Sequence, residues 1–201
     1  MSRIAAVILA GGRSERMGGR NKALLDVGGR RMVDVALAAT VGCAPVVLSV
    51  GQLNFAVDGT DPVPDLPTDY AGPLAGLAAA VERLRADAPD LLLSLAVDTP
   101  FFPPDFLARA EPLIANSAVV LAHWGGQDYP TNALWRFAAL RTLPDDVRAG
   151  TAAHSLKRLA ASIGMTRLDY SESRAQDPFL NANTPEDLAI LRARRAAPEP
   201  D

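Results

Sequence analysis

The chain has 201 residues, of which 49% are hydrophobic and 21% are charged. This composition is that of an ordinary globular protein and excludes a disordered chain, and the length suits one α/β domain. The formal net charge of −3 disfavours nucleic acid and anionic membranes as partners, so an anionic ligand would need a local concentration of positive charge.

The cysteine content and the apolar start of the chain indicate a cytoplasmic protein. Cys43 is the only cysteine, so no internal disulfide can form, which fits a reducing compartment. The apolar run Ile4–Ala10 is too short to span a membrane and lacks the layout of a signal peptide. We therefore expect a cytoplasmic location and interpret this run as a buried strand.

Apolar runs alternate with segments of helical periodicity through the first half of the chain. Ile4–Ala10 has the pattern of a central parallel strand that is covered on both faces. Asp58–Asp69 is rich in proline and aspartate and is predicted to be a loop. The predicted elements are a strand over Ile4–Ala10, a helix over Met32–Thr40, a strand over Pro45–Val50, a helix over Gly72–Ala86 and a strand over Leu91–Val97.

The second half of the chain continues this alternation. Thr184 is a capping residue, Pro185 follows at the first helical position, and two acids occupy the first turn, which together predict a helix start. The predicted elements are a helix over Pro104–Ala115, strands over Ala118–His123 and Gln127–Leu134, a helix from about Trp135, a helix over Ala152–Ser162, a strand over Thr166–Tyr170, a helix from Thr184 to about Arg195 and a loose tail over 197–201.

The order of these elements predicts the fold class. Strands that alternate with helices indicate a three-layer α/β/α fold with a mostly parallel sheet. Neither an internal repeat nor a linker divides the sequence, so we expect one domain over residues 1–201.

The segment Leu9–Lys22 follows the first predicted strand, at the edge where open α/β sheets bind ligands. Gly11 and Gly12 lack a Cβ atom, so a phosphate can approach the backbone amides closely. Between residues 13 and 22, four basic residues minus one acid give a local charge of +3. The P-loop and dinucleotide motifs do not fit, because Lys22 follows Asn21 and the glycines form adjacent pairs. The loop therefore predicts a phosphate site of another kind.

Several motifs carry a family resemblance in their order along the chain. They are L-A-G-G-R-S-E-R-M-G from Leu9 with Lys22, Asp65 with G-P-L-A-G from Gly72, D-T-P-F-F-P-P-D from Asp98, Y-P-T from Tyr129 and F-L-N-A-N-T-P-E from Phe179. Together they resemble the nucleotidyltransferases with the L-A-G-G-x-S-x-R-M-G signature, and within them the molybdenum cofactor guanylyltransferases. That family joins GMP from GTP to the phosphate of molybdopterin. The resemblance covers nearly the whole chain and implies a Rossmann-like nucleotidyltransferase fold and a magnesium-dependent enzyme.

The resemblance also implies roles for individual residues. Lys22 would meet the nucleotide phosphates, Asp65 the guanosine and Asp98 the magnesium ion. Asn181 and Asn183 would lie on the acceptor side or near the metal. The expected nucleotide-binding residues are Leu9, Ala10, Gly11, Gly12, Arg13, Ser14, Lys22, Ser49, Asp65, Gly72 and Asp98. The expected catalytic residues are Lys22, Asp98 and Arg16.

The chemistry of these groups suits transfer between two anionic substrates, which depends on positioning and on charge neutralisation. Asp98 ends a predicted buried strand, a rigid location for a hard oxygen ligand of magnesium. Lys22 would stabilise negative charge on a phosphate, and Arg16 would either clamp phosphates or pair with Glu15. Asp65 would accept two hydrogen bonds from guanine or bind a ribose hydroxyl.

Three residues depart from the family pattern. Asn21 stands where aspartate is common, Tyr129 where histidine is common, and Ser49 where asparagine is common.

The expected partners are GTP, molybdopterin and the molybdoenzymes that receive the product. Transfer from CTP, a sugar phosphate acceptor, and a non-catalytic adaptor that hands cofactor to a molybdoenzyme stay open. Lys22 and Asp98 argue against the adaptor, and the glycine spacing argues against a dinucleotide-dependent dehydrogenase.

Overall fold

The computed structural model describes residues 2–11, 21–66, 68 and 72–196. The strands are β1 (Ile4–Leu9), β2 (Val46–Gly51), β3 (Asp61–Pro64), β4 (Leu91–Ala96), β5 (Val119–Trp124), β6 (Gln127–Arg136) and β7 (Met165–Asp169). The helices are α1 (Met32–Ala38), α2 (Pro73–Arg83), α3 (Phe106–Ile114), α4 (Leu143–Ala149), α5 (Leu156–Ile163) and α6 (Pro185–Ala196), with 3-10 helices at Lys22–Leu24 and Phe137–Leu140. Within these ranges, every helix is too short or too polar to cross a membrane.

The strands form one sheet in the order β3-β2-β1-β4-β6-β5-β7. Within the described chain, β6 alone runs antiparallel to its neighbours, so the expectation of a mostly parallel sheet is confirmed. From β1 the chain moves to β2 on one side and later returns to β4 on the other. The loops after β1 and β4 therefore diverge and leave a crevice at the carboxyl ends of these strands, where open α/β sheets bind ligands.

Helices cover both faces of the sheet. Ala5, Val7 and Leu9 of β1 share a buried cluster with side chains of α2, α4 and α5. Ala6 packs in a cluster with residues of α3, and Ile8 in a cluster with residues of α1. Because successive side chains of a strand point to opposite faces, a doubly covered strand is apolar throughout. The α/β/α prediction is confirmed.

The prediction of a loop over Asp58–Asp69 is wrong in part, because β3 lies within it. Val47 of β2 pairs with Asp61, and Leu48 pairs with Pro62. Proline has no backbone N–H to donate to a neighbouring strand. It is tolerated in β3 because β3 is an edge strand, with only β2 beside it.

The prediction of a helix from about Trp135 is also wrong. β6 continues to Arg136, and Trp135 lies opposite Leu92 of β4 and Val119 of β5. The indole is fully buried, and its Nε1 donates to Ser94 Oγ at 2.9 Å. Burial between two strands overrides the weak local preference of this segment. The other predicted strands and helices are present with shifted ends. The tail 197–201 lies outside the described residues, and the extent of the domain over 1–201 stays a prediction.

Trp135→Phe is expected to lower the free energy of unfolding by about 2–3 kcal/mol, because it leaves a cavity and removes a buried hydrogen bond. Urea denaturation followed by circular dichroism measures this loss. Trp124→Phe is the matched control, since the half-buried Trp124 donates its Nε1 to the carbonyl of Arg174 at the protein surface. Equal losses in the two variants would contradict the placement of Trp135 in the core.

Candidate active site

A hydrogen-bonded cluster of four side chains, which we call the Lys22 cluster, lies at the carboxyl end of β4. Its members are Lys22, Asp98, Asn181 and Asn183. Lys22 Nζ donates to Asp98 Oδ2 at 2.9 Å and to Asn183 Oδ1 at 2.8 Å. Asn183 Nδ2 donates to Asn181 Oδ1 at 3.0 Å. The side chains of Lys22 and Asp98 are only 18% and 15% exposed, so water and salt screen their attraction less than that of a surface pair.

Separate segments of the chain supply these side chains. Lys22 begins a 3-10 helix that Asn21 caps, since Asn21 Oδ1 accepts from the backbone N–H of Ala23 at 3.0 Å. Asp98 follows β4, and its carbonyl accepts from the backbone N–H of Ala182 at 3.3 Å. This backbone hydrogen bond attaches residues 179–183, which we call the asparagine segment, to the end of β4.

The start of α6 fixes the other side of the asparagine segment. Asp187 Oδ2 accepts from the backbone N–H groups of Asn183 and Thr184, at 3.0 and 2.8 Å. Thr184 Oγ1 accepts in turn from the backbone N–H of Asp187 at 3.1 Å. Thr184 is therefore the predicted helix cap. Reciprocal capping immobilises the residue that contacts Lys22.

A pocket of about 220 Å³ opens between the carboxyl ends of β1 and β4. Its lining includes Leu9, Ala10, Gly11, Lys22, Asp98 and Asn181. Residues that the sequence analysis drew from three separate motifs thus line one cavity at the switch point of the sheet.

A buried serine–aspartate pair lies on the other side of β1. Ser49 is 1% exposed, and its hydroxyl donates to Asp65 Oδ1 at 2.9 Å. Burial of the Asp65 carboxyl raises its pKa, and the hydrogen bond from Ser49 acts in the opposite direction. Gly76 allows α2 to approach, because a Cβ there would lie 2.4 Å from Ser49 Oγ. A Cβ at Gly11 would lie 2.8 Å from Gly51 Cα and 3.4 Å from Asp65 Oδ1, so the end of β1 packs directly against this pair.

Not every predicted site residue falls within the described chain. Four of them lie outside it, namely Gly12, Arg13, Ser14 and Arg16. Gly72 lies at the start of α2, where its neighbour Pro73 lines the pocket. The roles of all the site residues stay predictions, although the structure brings the side chains of the Lys22 cluster together.

Tyr129, which stands where the family commonly has histidine, contacts the asparagine segment. Its hydroxyl donates to Asp177 Oδ2 at 2.7 Å, and its ring centroid lies 4.9 Å from that of Phe179. Burial, together with the Asp177 carboxylate, raises the pKa of Tyr129. The phenol therefore stays protonated and continues to donate this hydrogen bond.

The sequence analysis missed two residues of β6. Thr131 lines the pocket, and its presence in the Y-P-T motif was the available signal. Asn132 is fully buried, and its Oδ1 accepts from the backbone N–H of Ala96 at 3.0 Å and from Thr99 Oγ1 at 3.3 Å. These partners flank Asp98, so Asn132 holds both sides of the turn that presents the carboxylate.

Two comparisons of the sequence with known proteins point to the same family. The family described as the MobA-like NTP transferase domain matches residues 6–166. The chain is 39% identical to the molybdenum cofactor guanylyltransferase of Acidiphilium cryptum (strain JF-5), and the match covers 96% of each chain.

Two solved structures share the fold. They are molybdopterin-guanine dinucleotide biosynthesis protein A from Archaeoglobus fulgidus (19% identity, 96% of this chain and 97% of that one, TM-score 0.70) and 2-C-methyl-D-erythritol 4-phosphate cytidylyltransferase from Thermus thermophilus (20% identity, 97% and 100%, TM-score 0.70). With the family match over most of its length, the chain belongs to the MobA-like NTP transferases, the nucleotidyltransferase family of the molybdenum cofactor guanylyltransferases.

Proposed function

We propose that this nucleotidyltransferase moves GMP from GTP to the phosphate of molybdopterin, with magnesium, and releases pyrophosphate. The contact of Lys22 with Asp98 and Asn183 beside the pocket is the observation that carries the proposal. The name of the Acidiphilium cryptum relative supports the choice of substrates. In this proposal the enzyme acts in the cytoplasm, and molybdoenzymes receive the product.

The triphosphate would bind at the carboxyl end of β1. The backbone of Leu9, Ala10 and Gly11 lines the pocket and would lie against the nucleotide. The Lys22 ammonium is close enough to the same cavity to meet the phosphates. Gly12, Arg13, Ser14 and Arg16 would complete the phosphate site from the basic loop, with Arg16 as a clamp or as the partner of Glu15.

The base would be recognised beside Ser49 and Asp65. An ionised carboxylate can accept two hydrogen bonds, which suits the ring N–H and amino group of guanine. Ser49 already donates to one Asp65 oxygen and thereby fixes the orientation of the carboxylate. Because burial raises the pKa of Asp65, this hydrogen bond helps to keep the acceptor charged.

The oxygen donors beside the pocket fit magnesium. Among the described residues, no group of three or more His, Cys, Asp and Glu side chains could hold a metal by itself. Magnesium commonly takes one or two carboxylates, several waters and substrate phosphates, so Asp98 and a triphosphate form a sufficient donor set. When bound there, the ion would neutralise phosphate charge.

The reaction needs no covalent bond to the protein. An oxygen of the acceptor phosphate attacks the α-phosphorus of GTP and forms a new P–O bond. The bond from the α-phosphorus to the bridging oxygen breaks, and pyrophosphate leaves with the electron pair. Lys22 would offset the negative charge that develops on these phosphates, and Asp98 holds its ammonium at the pocket. Asn181 and Asn183 would orient the acceptor through their amides.

Cytidylyl transfer, or transfer to a sugar phosphate, is the second candidate. The Thermus thermophilus cytidylyltransferase shares the fold with the same TM-score as the Archaeoglobus fulgidus protein, so the fold does not discriminate between bases. A non-catalytic adaptor is disfavoured, because a protein that only binds and hands over the cofactor does not require the part-buried ion pair of Lys22 and Asp98.

Pyrophosphate release tests the substrates directly. Purified protein with magnesium is incubated with GTP, CTP, ATP or UTP, each with and without molybdopterin. We expect release only with GTP and molybdopterin together. Release with CTP and molybdopterin would contradict the guanine assignment and favour cytidylyl transfer, and GTP binding without release would contradict molybdopterin as the acceptor or transfer itself.

Asp98→Asn is expected to lower kcat by about 100-fold or more while the protein stays folded, because the change removes the charge that binds magnesium and holds Lys22. Steady-state kinetics and circular dichroism measure the two properties. Asp90→Asn is the matched control, since Asp90 is exposed and lies at the amino end of β4, whereas Asp98 follows its carboxyl end. A kcat within about twofold of wild type in Asp98→Asn would exclude the metal role.

Ser49→Ala is expected to move the loss of GTP binding at acidic pH to a higher pH. Asp65 binds guanine only when ionised, and removal of the Ser49 hydrogen bond raises the Asp65 pKa further. Calorimetric GTP titrations from about pH 4, near the ordinary aspartate pKa, up to about pH 8 measure the shift, because burial places the Asp65 pKa above that ordinary value.

Asp61→Asn serves as the control for this profile, because Asp61 lies in β3 four residues earlier and pairs with Arg83 instead. Its pH profile should match that of wild type. A profile for Ser49→Ala that superimposes on both would show that Asp65 does not control GTP binding.

A further inference from the structure

Arg194, in the last turn of α6, joins two segments that carry site residues. Its Nη1 donates to the backbone carbonyl of Asp177, in the segment that leads to Asn181. Its guanidinium lies over the ring of Phe101, in the turn after Asp98, with 4.1 Å from Cζ to the ring centroid. An arginine that served only the helix dipole would direct its charge to solvent, whereas this side chain is half-buried.

Two neighbouring arginines of α6 make similar contacts. Arg195 Nη1 donates to the carbonyl of Pro100 at 3.4 Å, and its aliphatic part packs on Gly28, where a Cβ would lie 2.5 Å from Arg195 Cγ. Arg192 Nε donates to the carbonyl of Asp26 at 3.0 Å. Asp26 and Gly28 belong to the turn that follows the site lysine, so α6 also contacts this third segment.

An apolar cluster beneath α6 unites the same segments. Its buried members come from α6, from the chain after Lys22 and from the asparagine segment: Val27, Met32, Ala182, Leu188 and Leu191. Phe101 and Leu180 pack against this cluster. The helix therefore packs against the elements that carry Lys22, Asp98 and Asn181, and its arginines bind their backbones from above.

We propose that Arg194 is a positioning residue that aligns Asp98 with Asn181 and Asn183. It contacts neither carboxylate nor amide of the cluster, and acts through the backbone of Asp177 and the ring of Phe101. Its effect on the rate rests on the proposed function, whereas its effect on backbone order does not. Arginine suits this task because its planar group can stack on a ring and donate at its edge at once.

Arg194→Met tests the proposal, because methionine keeps an unbranched stem and loses the guanidinium. Small displacements of reacting groups reduce kcat, so we expect a fall of about 10- to 100-fold. The KM for GTP should change less than kcat, because Arg194 contacts Asp177 and Phe101 and neither the β1 backbone nor Asp65. Arg194→Lys keeps the charge and N–H donors at the end of the side chain and should recover part of kcat. This variant also carries the test if Arg194→Met fails to fold.

Arg136→Met is the matched control. Arg136 also donates to two backbone carbonyls, those of Ser117 at 2.9 Å and Ala115 at 2.8 Å. It lies opposite Leu91 at the amino end of β4, whereas the site lies at the carboxyl end. This variant loses contacts of the same kind and should retain wild-type kcat. An equal loss of kcat in the two variants would assign the effect of Arg194 to general destabilisation and overturn the proposal.

Hydrogen–deuterium exchange of the protein without substrate provides a readout that needs no turnover. Arg194→Met should speed exchange in peptides over 98–103 and 177–184, and Arg136→Met in peptides over 115–118. Wild-type exchange in 98–103 and 177–184 would overturn the proposal. Faster exchange there, combined with a wild-type protein that transfers no nucleotide, would support the positioning role and contradict the proposed function instead.

Discussion

Lys22 places one positive charge between two oxygen atoms that come from segments 76 and 161 residues away in the chain. The positions of Asp98 and Asn183 beside that ammonium depend on the sheet and on the packing of α6. The proposed binding of two anionic substrates by an anionic protein needs such a charge held at a fixed point, because a mobile lysine would lose most of its effect to water. The geometry of the site is therefore a property of the whole fold.

The sheet supplies this geometry through the order of its strands. β1 and β4 are parallel neighbours, so the backbone that lines the pocket and the Asp98 turn emerge side by side. Insertion of the antiparallel β6 next to β4 brings Asn132 beneath that turn, where its Oδ1 binds groups on both sides of Asp98. The short hairpin between β5 and β6 brings Thr131 and Asn132 back to the site directly. A strand parallel to β4 would need a long crossover connection to reach the same place.

Features that depend on local pattern could be predicted from the sequence, and those that depend on partners could not. The apolar run of β1 and the Thr184 cap have local signals, and the fold class followed from signals of this kind. The basic loop pointed to Lys22, whereas Asp98, Asn181 and Asn183 were singled out through the family resemblance of their motifs. The sequence did not predict β3, because its prolines argue against a central strand and its edge position depends on the pairing with β2. The strand conformation of Trp135 was not predicted either, because it depends on the pairing of β6 with β4 and β5. The Ser49–Asp65 hydrogen bond joins β2 to the residue that follows β3, and no local pattern encodes the adjacency of these two strands.

The arginines of α6 extend the same reasoning beyond the segment that defines the family. The family match ends at residue 166, yet Asn181, Asn183 and α6 complete the cluster that begins at Lys22. A cluster assembled from both ends of the chain is sensitive to any loosening of the last helix. Since α6 packs through one apolar face and through side chains at its end, it can lose alignment at the site before the central sheet unfolds. The turnover rate should therefore fall at lower denaturant concentrations than those at which the spectroscopic signal of global unfolding changes.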